Sequence, residues 1–163
     1  MPSSRQRRPK VPEGDVHPVI IPPANLTGEL IEPSHPDGLI ILAYETRADW
    51  LHARRYGEAE HLAAEGFAAL SLGLLHDAEA RDASKLVDID FLFVRFLGAV
   101  RWAKQHPRLG KLSFGLIATR TSAAAALRVA VADPQTVRAI VSRNGRPDLA
   151  ECAAGRAAGL LVV

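Results

Sequence analysis

The feature that most constrains the fold is a series of short, mainly apolar runs of strand length that alternate with longer helical patterns. The runs are LIILAY (39–44), FAALSLGLL (67–75), KLSFGLI (111–117), TVRAIVSR (136–143) and GLLVV (159–163). A continuous apolar run indicates a strand that is covered on both faces. Strands that alternate with helices predict an α/β fold, with a doubly wound, mostly parallel sheet and right-handed crossovers.

The segments between these runs predict the helices and the sheet edge. An amphipathic helix is expected over residues 54–65, with Gly66 as its C-terminal cap. Longer helices are expected in VDIDFLFVRFLGAVRWAKQHP and SAAAALRVAVAD. Near the start, residues 19–21 and 27–32 predict an antiparallel hairpin at a sheet edge, where the intervening prolines are tolerated.

The length and charge of the chain predict one domain with a basic tail. A chain of 163 residues is long enough for one ordinary domain and too short for two. We expect a flexible tail over residues 1–15 and a single domain over 16–163. The tail groups its basic residues in RQRRPK, which would attract an acidic protein surface or nucleic acid. A solvated terminus is the simpler interpretation, because the tail has no aromatic side chain to stack on bases.

Several classes of protein are disfavoured by the sequence. A single cysteine, Cys152, excludes an internal disulfide and any CxxC motif. The histidines show neither HxH nor HExxH spacing, so no metal or other cofactor is predicted. No apolar run approaches the roughly 18 residues that cross a bilayer, so we expect a soluble, cytoplasmic protein with no membrane partner.

The stretch FGLIATRTSAAAALRVA (114–130) predicts a strand that turns sharply into a helix. With it, the segments PDGLIILAY, AEHLAAEGFAALSLGLL, AEARDASKLVDID and VRAIVSRNGRPDLA resemble the dienelactone-hydrolase-like branch of the α/β-hydrolase superfamily, over roughly residues 16–163. In that family a G-x-S-x-G turn raises a serine nucleophile above the sheet. The resemblance implies that the equivalent turn here is Ala118-Thr119-Arg120-Thr121-Ser122, with Arg120 in place of the serine.

The sequence departs from the family wherever the family has catalytic groups. A guanidinium stays protonated, so Arg120 is neither a nucleophile nor a general base. Where the family has an HGSG-like loop after the strand that ends at Ala43, this chain reads Tyr44-Glu45-Thr46-Arg47, and an anionic Glu45 would oppose a developing oxyanion. The family's acid and histidine follow the strand matched by GLLVV, and this chain ends first, at Val163.

The resemblance therefore implies a truncated pseudoenzyme that lacks the C-terminal strands, and we assign no catalytic residue. Its expected role is binding or protein–protein interaction. An esterase or lactonase with a relocated nucleophile stays open as an alternative. Its hydroxyl would come from Thr119, Thr121 or Ser122 and its base from His76 or, less suitably, His52. Hydroxyl groups at the start of a helix more often cap it.

Arg120 needs an explanation of its own, because a cation at the start of a helix costs on the order of 0.5 kcal/mol unless an anion lies nearby. We hypothesise an ion pair with Glu45 that fills the former catalytic pocket. The alternative is a binding site for a phosphate or carboxylate ligand. Its members would be Arg120, Arg47, Thr119, Thr121 and Ser122.

The last apolar run predicts an interaction surface. A strand from Gly159 to Val163 with no helix after it would leave apolar surface and an unpaired edge. We therefore expect a homo-oligomer or a protein partner at this C-terminal edge.

Overall fold

The computed structural model describes residues 14–150 and 160–162. The strands within these ranges form a single sheet in the order β1-β2-β4-β3-β5-β6-β7, numbered along the chain. The strands are β1 (Gly14–Ile21), β2 (Leu26–Pro33), β3 (Leu39–Thr46), β4 (Ala68–Leu75), β5 (Phe114–Thr119), β6 (Val137–Arg143) and β7 (Leu160–Val162). The pairs β1–β2 and β2–β4 are antiparallel, and all other neighbours are parallel. The α/β class and the N-terminal antiparallel hairpin are therefore confirmed.

Helices cover both faces of this sheet. They are α1 (Arg47–Ala53), α2 (Glu58–Ala64), α3 (Ala83–Leu86), α4 (Ile89–Gln105) and α5 (Arg120–Ala132). The larger apolar core lies between the sheet and α4 and α5, where Phe96 and Leu127 are fully buried. A smaller core lies under α1 and α2 around Trp50. Because helices pack on both faces, every residue of β4 is buried, as its continuous apolar run predicts.

The predicted helix over residues 54–65 is wrong in its extent. The structure has α1, a short 3-10 turn (Arg54–Tyr56) and then α2, which begins after Gly57. Gly57 has a φ of 68°, in the left-handed region that interrupts a helix and that glycine adopts without strain. Gly66, with a φ of 93°, follows α2 in the conformation expected of a C-terminal cap.

The boundaries of other elements also differ from those predicted from the sequence. The hairpin strands are longer than the predicted 19–21 and 27–32. Strand β5 continues to Thr119, and α5 begins at Arg120 rather than at Ser122. Strand β1 begins at Gly14, within the last residues assigned to the tail, and the basic residues of the predicted tail lie outside the described residues. The predicted strand over 159–163 is described at its centre, as β7.

Within the described ranges, no helix combines the length and the apolar character needed to cross a bilayer. The same ranges contain no group of three or more His, Cys, Asp or Glu side chains arranged to hold a metal ion.

Candidate functional site

The candidate site lies where β3 and β5 end side by side. Ala43 of β3 pairs in register with Ala118 of β5, so Glu45 and Arg120, each two residues further on, leave the sheet at the same edge. Ligand sites of open parallel sheets form at this carboxyl edge. We call Glu45, Arg47 and residues 119–122 the elbow site.

Arg120 stands at the apex of the turn in a strained backbone conformation. Thr119 is extended, with φ −119° and ψ 150°, and the helical residues of α5 follow Arg120. Arg120 itself has a φ of 47°. A left-handed conformation costs a residue with a Cβ atom about 1–2 kcal/mol. The backbone thus forms the sharp strand-to-helix turn of a nucleophile elbow, with an arginine side chain at its apex.

The guanidinium of Arg120 lies between two carboxylates. Its Nε is 3.3 Å from Oε2 of Glu45, and its Nη2 is 3.0 Å from Oδ2 of Asp49. The Arg120 side chain is 56% exposed, whereas that of Glu45 is 8% exposed. A buried carboxylate requires compensation far more than a half-exposed guanidinium does. The pair therefore matters chiefly for Glu45.

Asp49 is a member of this cluster that sequence reasoning missed. It lies in the first turn of α1, where its backbone N–H donates to Oγ1 of Thr46 at 3.0 Å. The hydroxyl of Thr46 in turn donates to Oδ2 of Asp49 at 2.7 Å. The order Thr-x-x-Asp is typical of a helix N-terminus and could have indicated both α1 and the position of this carboxylate.

The carboxylate of Glu45 also contacts the start of α5. Its Oε1 accepts a hydrogen bond from the backbone N–H of Thr121 at 2.7 Å. The Thr121 hydroxyl lies against the same oxygen and 2.7 Å from the carbonyl oxygen of Leu86, so its single proton serves one acceptor at a time. In α/β-hydrolases the N–H of the residue after the nucleophile is part of the oxyanion hole. Here that N–H is already engaged by a carboxylate.

Ser122 acts as a capping group in the structure. Its hydroxyl accepts the backbone N–H of Thr119 at 3.1 Å and donates to the carbonyl oxygen of Thr119 or of Ala43. Ser122 is fully buried. A buried hydroxyl held between backbone groups stabilises the first turn of a helix.

The histidines considered as bases, and Arg47, have partners outside the elbow site. Nε2 of His76 lies 2.7 Å from the carbonyl oxygen of Ala24. Nε2 of His52 lies 3.4 Å from the Tyr56 hydroxyl. Arg47 pairs with Asp77 at 3.2 Å. The structure therefore brings Glu45 and residues 119–122 together, and directs Arg47 to a separate ion pair.

A second polar network borders the site beside Glu45. The hydroxyl of Tyr44 donates to Oε2 of Glu58 at 3.2 Å, and Nη2 of Arg143 lies 2.7 Å from Oε1 of the same carboxylate. Tyr44 is buried, and Arg143 is the last residue of β6. This network ties β3 to α2 and β6 at the edge of the sheet that carries Glu45.

Tyr44 is expected to ionise only in strong alkali. Burial, followed by the negative charge of Glu58, raises its pKa from 10.0 to about 12. Tyr56→Phe leaves Tyr44 as the one remaining tyrosine, so tyrosinate absorbance would report it directly. The unfolded phenol ionises near pH 10, so the stability that the neutral form provides is complete below pH 10 and is lost as the pH rises through about 12. In the Tyr56→Phe protein, adding Glu58→Gln should lower the pH midpoint of Tyr44 ionisation. A midpoint near pH 10 in Tyr56→Phe alone would contradict this buried environment.

Comparison with solved structures defines the class of protein. No protein-family model matches the chain. A dienelactone hydrolase-like promiscuous phosphotriesterase from metagenomic libraries shares the fold, with a TM-score of 0.71 and 21% identity over 91% of this chain and 67% of that one. The molecule is thus an α/β-hydrolase-fold protein. A dienelactone hydrolase from Anabaena variabilis is 31% identical, with a TM-score of 0.78 over 94% of this chain and 74% of that one. The chain belongs to the dienelactone-hydrolase-like branch of that superfamily.

Two curated relatives carry a different name. They are putative phosphoribosyl transferases from two strains of Mycobacterium tuberculosis, each 38% identical over 133 residues. That match covers 81% of this chain and 30% of each relative. The chain therefore spans about 30% of the length of these relatives.

Proposed function

We propose that this domain is a non-catalytic member of its hydrolase branch that acts by binding or protein–protein interaction. The observation that carries the proposal is Arg120 at the apex of the elbow, in the backbone conformation that would present a nucleophile. An arginine side chain cannot attack a carbonyl carbon, and it cannot accept a proton at ordinary pH. The scaffold for nucleophilic catalysis is present, whereas the nucleophile at its apex is replaced.

The charges at the elbow site support the same proposal. Acyl transfer needs free donors where the oxyanion develops, and removal of one such donor costs about 2.7–4 kcal/mol of transition-state stabilisation. The Thr121 N–H is bonded to Glu45, which also pairs with Arg120. A substrate carbonyl brought to this N–H would meet a negative charge. The local electrostatics therefore oppose the transition state of ester hydrolysis.

The alternative is an esterase or lactonase with a relocated nucleophile, and the family relationship is the observation that favours it. Ser122 is fully buried, and the Thr121 hydroxyl is engaged with Glu45 or Leu86. Thr119 is half-buried and is the most accessible of the three. A relocated mechanism would therefore use Thr119, with a base that reaches it after rearrangement.

The transferase name of the curated relatives is not carried over to this chain. It describes proteins of which the match covers 30%, so the activity it names can belong to the rest of those proteins. An edge-strand partner at β7, and an acidic surface or nucleic acid at the basic tail, stay predictions for the binding role. Strongly salt-dependent binding that disappears on removal of the residues before Val11 would favour the tail.

Covalent labelling separates the two functions. We expect no stoichiometric modification by a fluorophosphonate probe, measured by intact mass, and no turnover of a generic aryl ester above that of heat-denatured protein. Thr119→Val provides the matched control, because it removes the accessible hydroxyl and keeps the shape of the side chain. Labelling of the unaltered protein that is lost in Thr119→Val would overturn the proposal and identify the nucleophile.

A further inference from the structure

The most unusual group at the elbow site is the Glu45 carboxylate, which lies where a ligand anion would be expected. We propose that Glu45 is a built-in anion that occupies the oxyanion position permanently and excludes external carboxylates and oxyanions from it. The inference rests on the proposed function, because a catalytic site would need this position for its substrate. It accounts for how a site rich in anion-binding groups is kept closed.

Three donors converge on this one carboxylate. Oε1 faces the backbone N–H of Thr121 at 2.7 Å and the hydroxyl of the same residue, and Oε2 faces Nε of Arg120 at 3.3 Å. A backbone N–H at a helix start and a guanidinium are the groups that bind carboxylate and phosphate ligands. Glu45 thus uses the set of contacts that an external anion would need.

The position of Glu45 in the chain fixes this occupancy. Its neighbours Tyr44 and Thr46 pair with Gly73 and Leu75 of β4, and Thr46 also caps α1. The backbone of Glu45 is therefore held on both sides, and its side chain is 8% exposed. An attached group held in place has a high effective concentration, so it outcompetes a free anion with the same chemistry.

Removal of the carboxylate is therefore expected to open the site. In Glu45→Ala the Thr121 N–H loses its acceptor, and the hydroxyl of Thr121 is free of one neighbour. Arg120 retains Asp49, so its guanidinium is still positioned at the apex. The variant presents a vacant N–H beside a held cation, and a small carboxylate such as acetate fits that pair of donors.

The test is an acetate titration of isotope-labelled protein, observed at the Thr121 backbone amide by NMR at constant ionic strength. The unaltered protein should show no saturable shift up to tens of millimolar acetate, whereas Glu45→Ala should show one. Glu58→Ala is the matched control, since it removes a carboxylate paired with Arg143 at the border of the site and leaves the Thr121 N–H engaged. It should behave like the unaltered protein.

Two results would overturn the inference. One is a saturable Thr121 shift in the unaltered protein of the size seen in Glu45→Ala, and the other is a flat response in folded Glu45→Ala. If Glu45→Ala does not fold, Glu45→Gln is the deciding variant, because acetate displaces a neutral amide more readily than a carboxylate. A saturable Thr121 shift in Glu45→Gln supports the inference, and a flat response refutes it. Fluorophosphonate labelling tests the proposed function separately, since it detects a nucleophile and not an anion.

Discussion

Gly73→Ala is expected to lower the free energy of unfolding by about 3 kcal/mol, at the upper end of the cost of overpacking. A Cβ atom at this position in β4 would lie 2.5 Å from the backbone N of Arg47, 2.6 Å from its Cα and 2.6 Å from the carbonyl carbon of Thr46. All three are backbone atoms, so no rotation of a side chain relieves the contact. The junction between β3 and α1 would have to move, and Glu45 would move with it.

Gly98→Ala is the matched control for this prediction. Gly98 lies inside α4, and a Cβ atom there would have no neighbour within 4 Å. Alanine in a helix is favoured over glycine by about 0.5–1 kcal/mol, so this variant should be more stable than the unaltered protein. Urea denaturation with a common slope measures both changes. Equal unfolding free energies for the two variants would show that β4 does not approach the β3–α1 junction so closely.

Arg120→Gly is expected to be more stable than Arg120→Ala by about 1 kcal/mol. Both substitutions remove the guanidinium from Glu45 and Asp49, so both lose the same ion pairs. They differ in the backbone, because alanine retains the strain of a φ of 47° and glycine does not. The difference between the two variants thus isolates the strain at the elbow from the charge of the side chain.

The same pair of substitutions at Arg128 should give the opposite order. Arg128 lies in the middle of α5 and pairs with Asp90, so its loss also removes an ion pair. Its backbone is helical, and there glycine is less favourable than alanine by about 1 kcal/mol. Thermal or urea unfolding of the four variants provides the comparison. An Arg120→Ala variant as stable as Arg120→Gly would mean that the elbow is not strained in solution.

The sheet could be predicted from the sequence because its strands are encoded locally. The central strands β3 and β4 are nearly continuous apolar runs, and alternation with helices determines that the strands of the sheet centre pair in parallel. The helices before β4 were harder to predict. The segment RADWLHA has a weak apolar period, and Gly57 interrupts a helical pattern that otherwise continues to Glu65. A single left-handed residue redirected that segment, and periodicity does not detect such a residue.

Only part of the candidate site could be predicted from the sequence. The turn at Arg120 follows from a strand that runs directly into a helix, and its closeness to Glu45 follows from neighbouring parallel strands that end together. The register of the strands does not place Asp49 and Arg47, because their directions depend on α1, whose Thr-x-x-Asp start the sequence interpretation overlooked. The engagement of the Thr121 N–H by Glu45 also depends on side-chain conformation, which the sequence pattern does not determine.

The salt bridge between Glu45 and Arg120 also has an evolutionary consequence, because it makes the two positions depend on each other. A mutation of Arg120 to serine alone would leave the buried Glu45 without its paired cation. A mutation of Glu45 to glycine alone would leave Arg120 with Asp49 as its neighbouring carboxylate. The cost of each change therefore depends on whether the other residue is still present. The order of the two changes therefore matters, because loss of Glu45 first leaves Arg120 paired with Asp49, whereas loss of Arg120 first leaves a buried carboxylate without its cation.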